Sequence, residues 1–134
     1  MTKAVWGCSC ALVLAMAAPA LAHHSAAGID RTKSVTIVGT LKQFSWSNPH
    51  SWMDIDVPND KGGSDTWSVE MTSPAQLVRA GWKSTTVKPG DKVSVVVRPL
   101  KSGDPGGLFV SITLADGRVL TERPPVSAQA APTP

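Results

Sequence analysis

The chemistry open to this chain rests on three histidines, His23, His24 and His50, and on Trp52, Asp54 and Asp56, which share a strand face with His50. Lys3 and an apolar run from Ala11 to Ala18 precede Ala20-Leu21-Ala22, the small-x-small pattern of a secretory cleavage site. Cleavage after Ala22 makes His23 the first residue of the mature protein. Its amine and ring then chelate one ion, and a second imidazole from His24 or His50 completes a T-shaped nitrogen set suited to copper(II). Ala18-Pro19-Ala20 offers a second cut. With Leu21 at the terminus, the amine, two backbone amides and His23 form a square-planar set for copper(II) or nickel(II). The competing reading makes His23 and His24 polar residues of a mobile exported end.

A softer set is also present. His50, Trp52, Met53 and Met71 superficially resemble the histidine, methionine and tryptophan groups with which small exported OB-fold chaperones hold copper(I). Strand parity opposes this, because His50 and Met53 are an odd number of residues apart and point to opposite faces. Met53 and Met71 fall in phase with apolar neighbours, which makes them core residues. A different class of ligand fits the outer face: Trp52, flanked by His50, Asp54 and Asp56, offers a flat apolar surface to a sugar ring or a peptide, and the carboxylates accept its hydroxyl or amine hydrogens. Against that stand a Trp52 covered by the amino-terminal arm or by Trp67, and aspartates that serve only to discourage edge pairing.

Catalysis has the least support. Cys8 and Cys10 precede the apolar run and leave with it, and the chain has neither a glycine-flanked serine elbow nor a phosphate-cradling glycine loop. Asp54 and Asp56 lie side by side on an open strand without the burial that would separate two carboxylate pKa values. The expectation is a non-enzymatic binding protein, exported to the periplasm or beyond. Its partner is a metal ion, a small ligand or another exported protein.

The chain has 134 residues and a formal charge of +3, which falls by one when Lys3 is removed. Such a mild excess gives no reason to expect nucleic acid, and Lys92, Arg98 and Lys101 read as a solvated strand face. No stable membrane span is expected after cleavage, the apolar run being too short and alanine-rich. The expected organisation is a signal peptide (1–22), an arm (23–34), one small domain (35–122) and a disordered proline- and alanine-rich tail (123–134).

These residues must be positioned by strands. Val35 to Trp46 forms a long first strand whose in/out parity breaks between Ile37 and Phe44, with a bulge or bend expected at Gly39. A turn at Ser47-Asn48-Pro49 leads into a second strand from His50 to Val57, with Met53, Ile55 and Val57 facing inward. Trp67, Val69 and Met71 mark a third strand. A short helix follows, with Ser73 as its cap, Pro74 at its first position, Gly81 closing it, and Leu77, Val78 and Trp82 turned inward. Lys88-Pro89-Gly90-Asp91 turns into a fourth strand carrying Val93, Val95 and Val97; Leu108 to Leu114 is a fifth, and Asp116-Gly117 returns a short sixth, Arg118 to Thr121. Five to six strands with one helix between the third and fourth is similar to the OB-fold, a small Greek-key β-barrel. In such a hairpin His50 lies opposite the far end of the first strand, roughly a dozen residues or on the order of 40 Å from the arm, which makes His24 the easier partner for His23.

His23-His24-Ser25, Asn48-Pro49-His50 with Trp52, Ser73-Pro74 through Gly81-Trp82, Lys88-Pro89-Gly90-Asp91 and Asp116-Gly117-Arg118 together resemble a family of small exported bacterial proteins known only as a domain of unknown function. The resemblance spans residues 23–122. It implies export and a compact domain, and it supplies no catalytic residues.

Overall fold

Strand propensity and alternation dominate the chain from Val35 onward, and the computed structural model, which describes residues 26–123, is mainly β. The expected signal segment, His23, His24 and the tail after Arg123 lie outside the described residues. A 3-10 turn, Ala26–Gly28, precedes β1 (Val35–Ser45), β2 (Trp52–Pro58), β3 (Ser64–Glu70), α1 (Pro74–Arg79), β4 (Lys92–Pro99), β5 (Gly106–Leu114) and β6 (Val119–Thr121). The strands run β3-β2-β1-β4-β5-β6, and a parallel pairing of β3 with the start of β5 closes five of them into a barrel. β6 is an extra strand on the other half of β5.

The interior is built by the inward residues of each strand, among them Leu41, Met53, Ile55, Val69, Val95 and Ile112, all essentially inaccessible. Burying each such side chain contributes about 1.5–3 kcal/mol. Trp82, 1% exposed, stops one end of the barrel. Its ring packs against Phe44 and Phe109, and Nε1 donates to the Thr121 carbonyl at 2.8 Å, which ties β6 to the segment after α1.

Several local expectations are corrected. The register of β1 on β2 slips between Leu41 and Gln43, so the bulge lies at Lys42 and not at Gly39. Gly39 instead lets β2 approach: a Cβ there would lie 2.4 Å from the Asp56 carbonyl oxygen. Ser73 makes no side-chain cap bond; its carbonyl accepts from Gln76 and Leu77, while Pro74 opens the helix and Gly81 adopts φ +89° beyond it. Val78 is 59% exposed because the helix is short and only Leu77 reaches the core. His50 precedes β2 and is not part of it.

Closure also overturns the distance expected between the arm and His50. Trp52 pairs with Glu70, Glu70 with Leu108 and Leu108 with Arg98, while Val97 beside Arg98 pairs with Val35. The beginning of β1 is therefore four interstrand steps from Trp52 around the wall, roughly 19 Å at ~4.8 Å per step. The hairpin path along β1 is much longer, but a closed barrel supplies the shorter one.

Candidate functional site

His50 stands at the mouth of the β2–β3 hairpin, held from both sides of the chain. Ser47 Oγ donates to the His50 carbonyl at 3.0 Å, after a cis Asn48–Pro49 bond. One residue on, Ser51 exchanges backbone hydrogen bonds with Met71 and Thr72. The Ser51 side chain is fully buried, and its hydroxyl has no hydrogen-bond partner among the described residues.

Nδ1 of His50 is bonded to Glu70 Oε1. The Glu70 side chain is only 10% exposed and that of His50 52%. An ionised carboxylate only accepts hydrogen bonds, so Nδ1 carries the proton and Nε2 is the ring nitrogen left with a lone pair in the neutral form. Such a carboxylate–histidine pair is the arrangement that fixes ring orientation and tautomer in metal-ligating histidines.

Glu122 completes the cluster from the C-terminal side. Its Oε1 accepts from the Thr72 amide at 2.6 Å. Burial raises the Glu122 carboxyl above its usual range; the Thr72 amide and the positive charges of His50 and Arg123 oppose this, while Glu70 adds to it. His50, Glu70 and Glu122 thus share one electrostatic neighbourhood. Even so, no group of three histidine, cysteine, aspartate or glutamate side chains among the described residues is arranged to hold a metal ion. A nitrogen-rich site would need ligands from His23 and His24.

Trp52, cross-strand partner of Glu70, shares with it a cleft of about 280 Å³ on the outer face of β2 and β3. Ile29 and Leu100 form one wall, joined by a bridge between the arm and the residue after β4, and Gly106 and Gly107 are also in the lining. The arm is fastened here by bonds from the Asp30 amide to the Pro99 carbonyl, from the Lys101 amide to the Gly28 carbonyl, and from Arg98 to the Arg31 carbonyl. Asp30 accepts from the Thr32 hydroxyl and amide, which holds its carboxyl below the usual range. The described chain therefore begins beside the Trp52–Glu70 end of the barrel.

Asp54 and Asp56 are on the Trp52 face as expected, but each is engaged across the hairpin. Ser68 donates to Asp54 at 2.7 Å and Thr66 to Asp56 at 2.6 Å, with Lys42 a further 3.9 Å from Asp56. Met53 and Met71 are buried, in keeping with core packing. The sequence reading missed Glu70 and Ile29, although a hairpin register centred on Lys61 would have placed Glu70 opposite Trp52. Glu122 had no such signal, since its position depends on where β6 returns.

Among the described residues no helix is long and apolar enough to cross a membrane. No curated protein and no solved structure matches the chain. Residues 11–110 match a family of unknown function, DUF6152, and the chain belongs to that family.

Proposed function

We propose that the mature protein is an exported, non-enzymatic copper-binding protein whose site combines the amino-terminal His23 and His24 with Nε2 of His50. The observation that carries this reading is the His50–Glu70 pair: a nearly buried carboxylate orients an exposed imidazole and directs its proton to Nδ1. Barrel closure adds a second support, because the arm is anchored through Ile29 beside Glu70 and Trp52. His24 is five residues ahead of Ile29, a span of up to about 17 Å when extended. His50 thereby moves from a remote third ligand to one within reach. Imidazole nitrogens suit copper(II), which heads the divalent first-row ions in affinity for such donors.

The test begins with the intact mass of the natively exported protein, which identifies the terminus. The same material is then titrated with copper(II) against a competing chelator. One tight equivalent is expected for a chain beginning at His23. His50→Ala should weaken it at least tenfold, and replacing both His23 and His24 by alanine should abolish it. Tight binding that survives the double replacement would overturn the reading.

A further inference from the structure

We propose that the cleft between Arg98 and Arg123, where β5 bulges at Val110, binds a small carboxylate, a monoanion carrying a short apolar body. It is formed by β4, β5 and the segment after β6, so it stands independently of the copper reading.

The cleft comes from a mismatch in strand pairing. Val97 opposes Phe109 and Val96 opposes Ser111, which leaves Val110 as an extra residue of β5. Such a bulge bends its strand and interrupts the ladder. β6 pairs with β5 as far as Thr121, opposite Ser111, and its antiparallel direction carries Glu122 and Arg123 past the bulge. There Thr121 Oγ1 donates to the Arg123 carbonyl at 3.1 Å, while Glu122 turns to the Thr72 amide. The space between is about 360 Å³, lined by Arg98, Phe109, Val110, Thr121, Glu122 and Arg123.

The groups present select the ligand. Val97 is buried in the core, so Arg98 projects from the outer face of β4. Its Nη1 donates to the Arg31 carbonyl at 2.6 Å, which anchors the guanidinium and uses one of its five N–H donors. Arg123 brings a second exposed guanidinium from the segment after β6. A guanidinium fork matches the two oxygens of a carboxylate, and its charge strengthens each hydrogen bond. Val110 and the edge of Phe109 add apolar surface that a carbon chain can cover and a bare phosphate cannot use. Glu122 is the opposing charge. Burial raises its carboxyl above the usual range, and Arg123 is among the charges that lower it, so this guanidinium acts on the same neighbourhood. The two arginines outnumber that carboxylate, whose Oε1 is engaged by the Thr72 amide. Size sets the upper limit: about 360 Å³ equals roughly twelve water volumes of ~30 Å³, near the lower end for ligand sites.

The test uses the natively exported chain, freed of metal by a chelator and exchanged into a carboxylate-free buffer of low ionic strength. Butyrate is the probe, butyramide its uncharged counterpart, and acetate and inorganic phosphate the controls for the apolar body. Amide resonances of Val110 and Thr121 and the Nε–H resonances of both arginines report the cleft. Butyrate is expected to saturate in the millimolar range, about fivefold tighter than butyramide and tighter than acetate or phosphate. Arg123→Gln should weaken it about fivefold, and Arg98→Lys, which keeps the charge but loses the fork, about threefold. Glu122→Gln should instead strengthen it about twofold, since a neighbouring negative charge is removed. The amide spectrum shows that each variant is folded. Butyramide, acetate or phosphate binding as tightly as butyrate, or unchanged affinity in folded Arg123→Gln, overturns the proposal. Weaker binding in folded Glu122→Gln also overturns it, because the cleft would then be recognising a cation.

Discussion

Glu122 illustrates how a single carboxylate can brace a site that it does not line. Through Thr72 it secures the backbone that holds Ser51, and so the residue before it, His50. The folded chain binds the Glu122 proton more tightly than the unfolded chain does, because burial raises its carboxyl above the ordinary value of 4.5. The resulting contribution to stability is fully present below that value and is lost as pH rises through the folded pKa. Above it, the ionised group opposes folding despite the nearby charges of His50 and Arg123. Glutamine at this position keeps an oxygen for the Thr72 amide but cannot ionise. Urea midpoints measured between about pH 4 and pH 7 should therefore show Glu122→Gln at least as stable as the native chain near neutrality, with its advantage shrinking as pH falls. An advantage that grows on acidification would mean that the carboxylate is stabilised, not penalised, by its surroundings.

At the scale of the strands, β1 must bend while serving two neighbours. The bulge at Lys42 switches its parity, so that Ile37 and Leu41 face inward before it and Phe44 and Trp46 pack against the core after it. Gly39 admits the crossing β2 backbone where any side chain would collide with Asp56. Gly39→Ala should accordingly lower stability by about 1–3 kcal/mol, since the obstacle is main chain and cannot rotate away. Gly63→Ala in the β2–β3 loop, where an added Cβ has only ordinary contacts, should stay within about 0.5 kcal/mol. Denaturant midpoints of the two variants make the comparison, and equal effects would remove the close-approach role of Gly39. The strands themselves were legible because the alternation at Met53/Ile55 and Val93/Val95/Val97 has a period of two. Whether a glycine bulges or admits a neighbour depends on a strand distant in sequence, and that information is absent from local pattern. The same limit hid Ile29, the one large apolar residue of the arm, whose burial depends on Leu100.

The whole molecule determines whether His50 and the arm form one site or two unrelated features. His23 and His24 are adjacent in the chain and remain so after unfolding, whereas Trp52 and Glu70, beside His50, come together with the arm only when β3 pairs with β5 and the arm bridges to Leu100. This separates the two modes of copper binding thermodynamically. An ion held by the terminal residues alone has similar affinity for folded and unfolded chains and leaves the unfolding midpoint unchanged. An ion that also uses His50 binds the folded chain preferentially; a tenfold tighter affinity than the terminal residues alone provide stabilises the fold by about 1.4 kcal/mol at saturating copper. For a domain of this size the gain corresponds to a rise in Tm of about 5–10 °C. Thermal unfolding with and without copper(II) should show that rise in the native chain and lose it in His50→Ala, even if the variant retains weaker terminal binding. Stoichiometric uptake with no change in Tm would confine the metal to the arm and leave the His50–Glu70 pair a structural feature of the barrel.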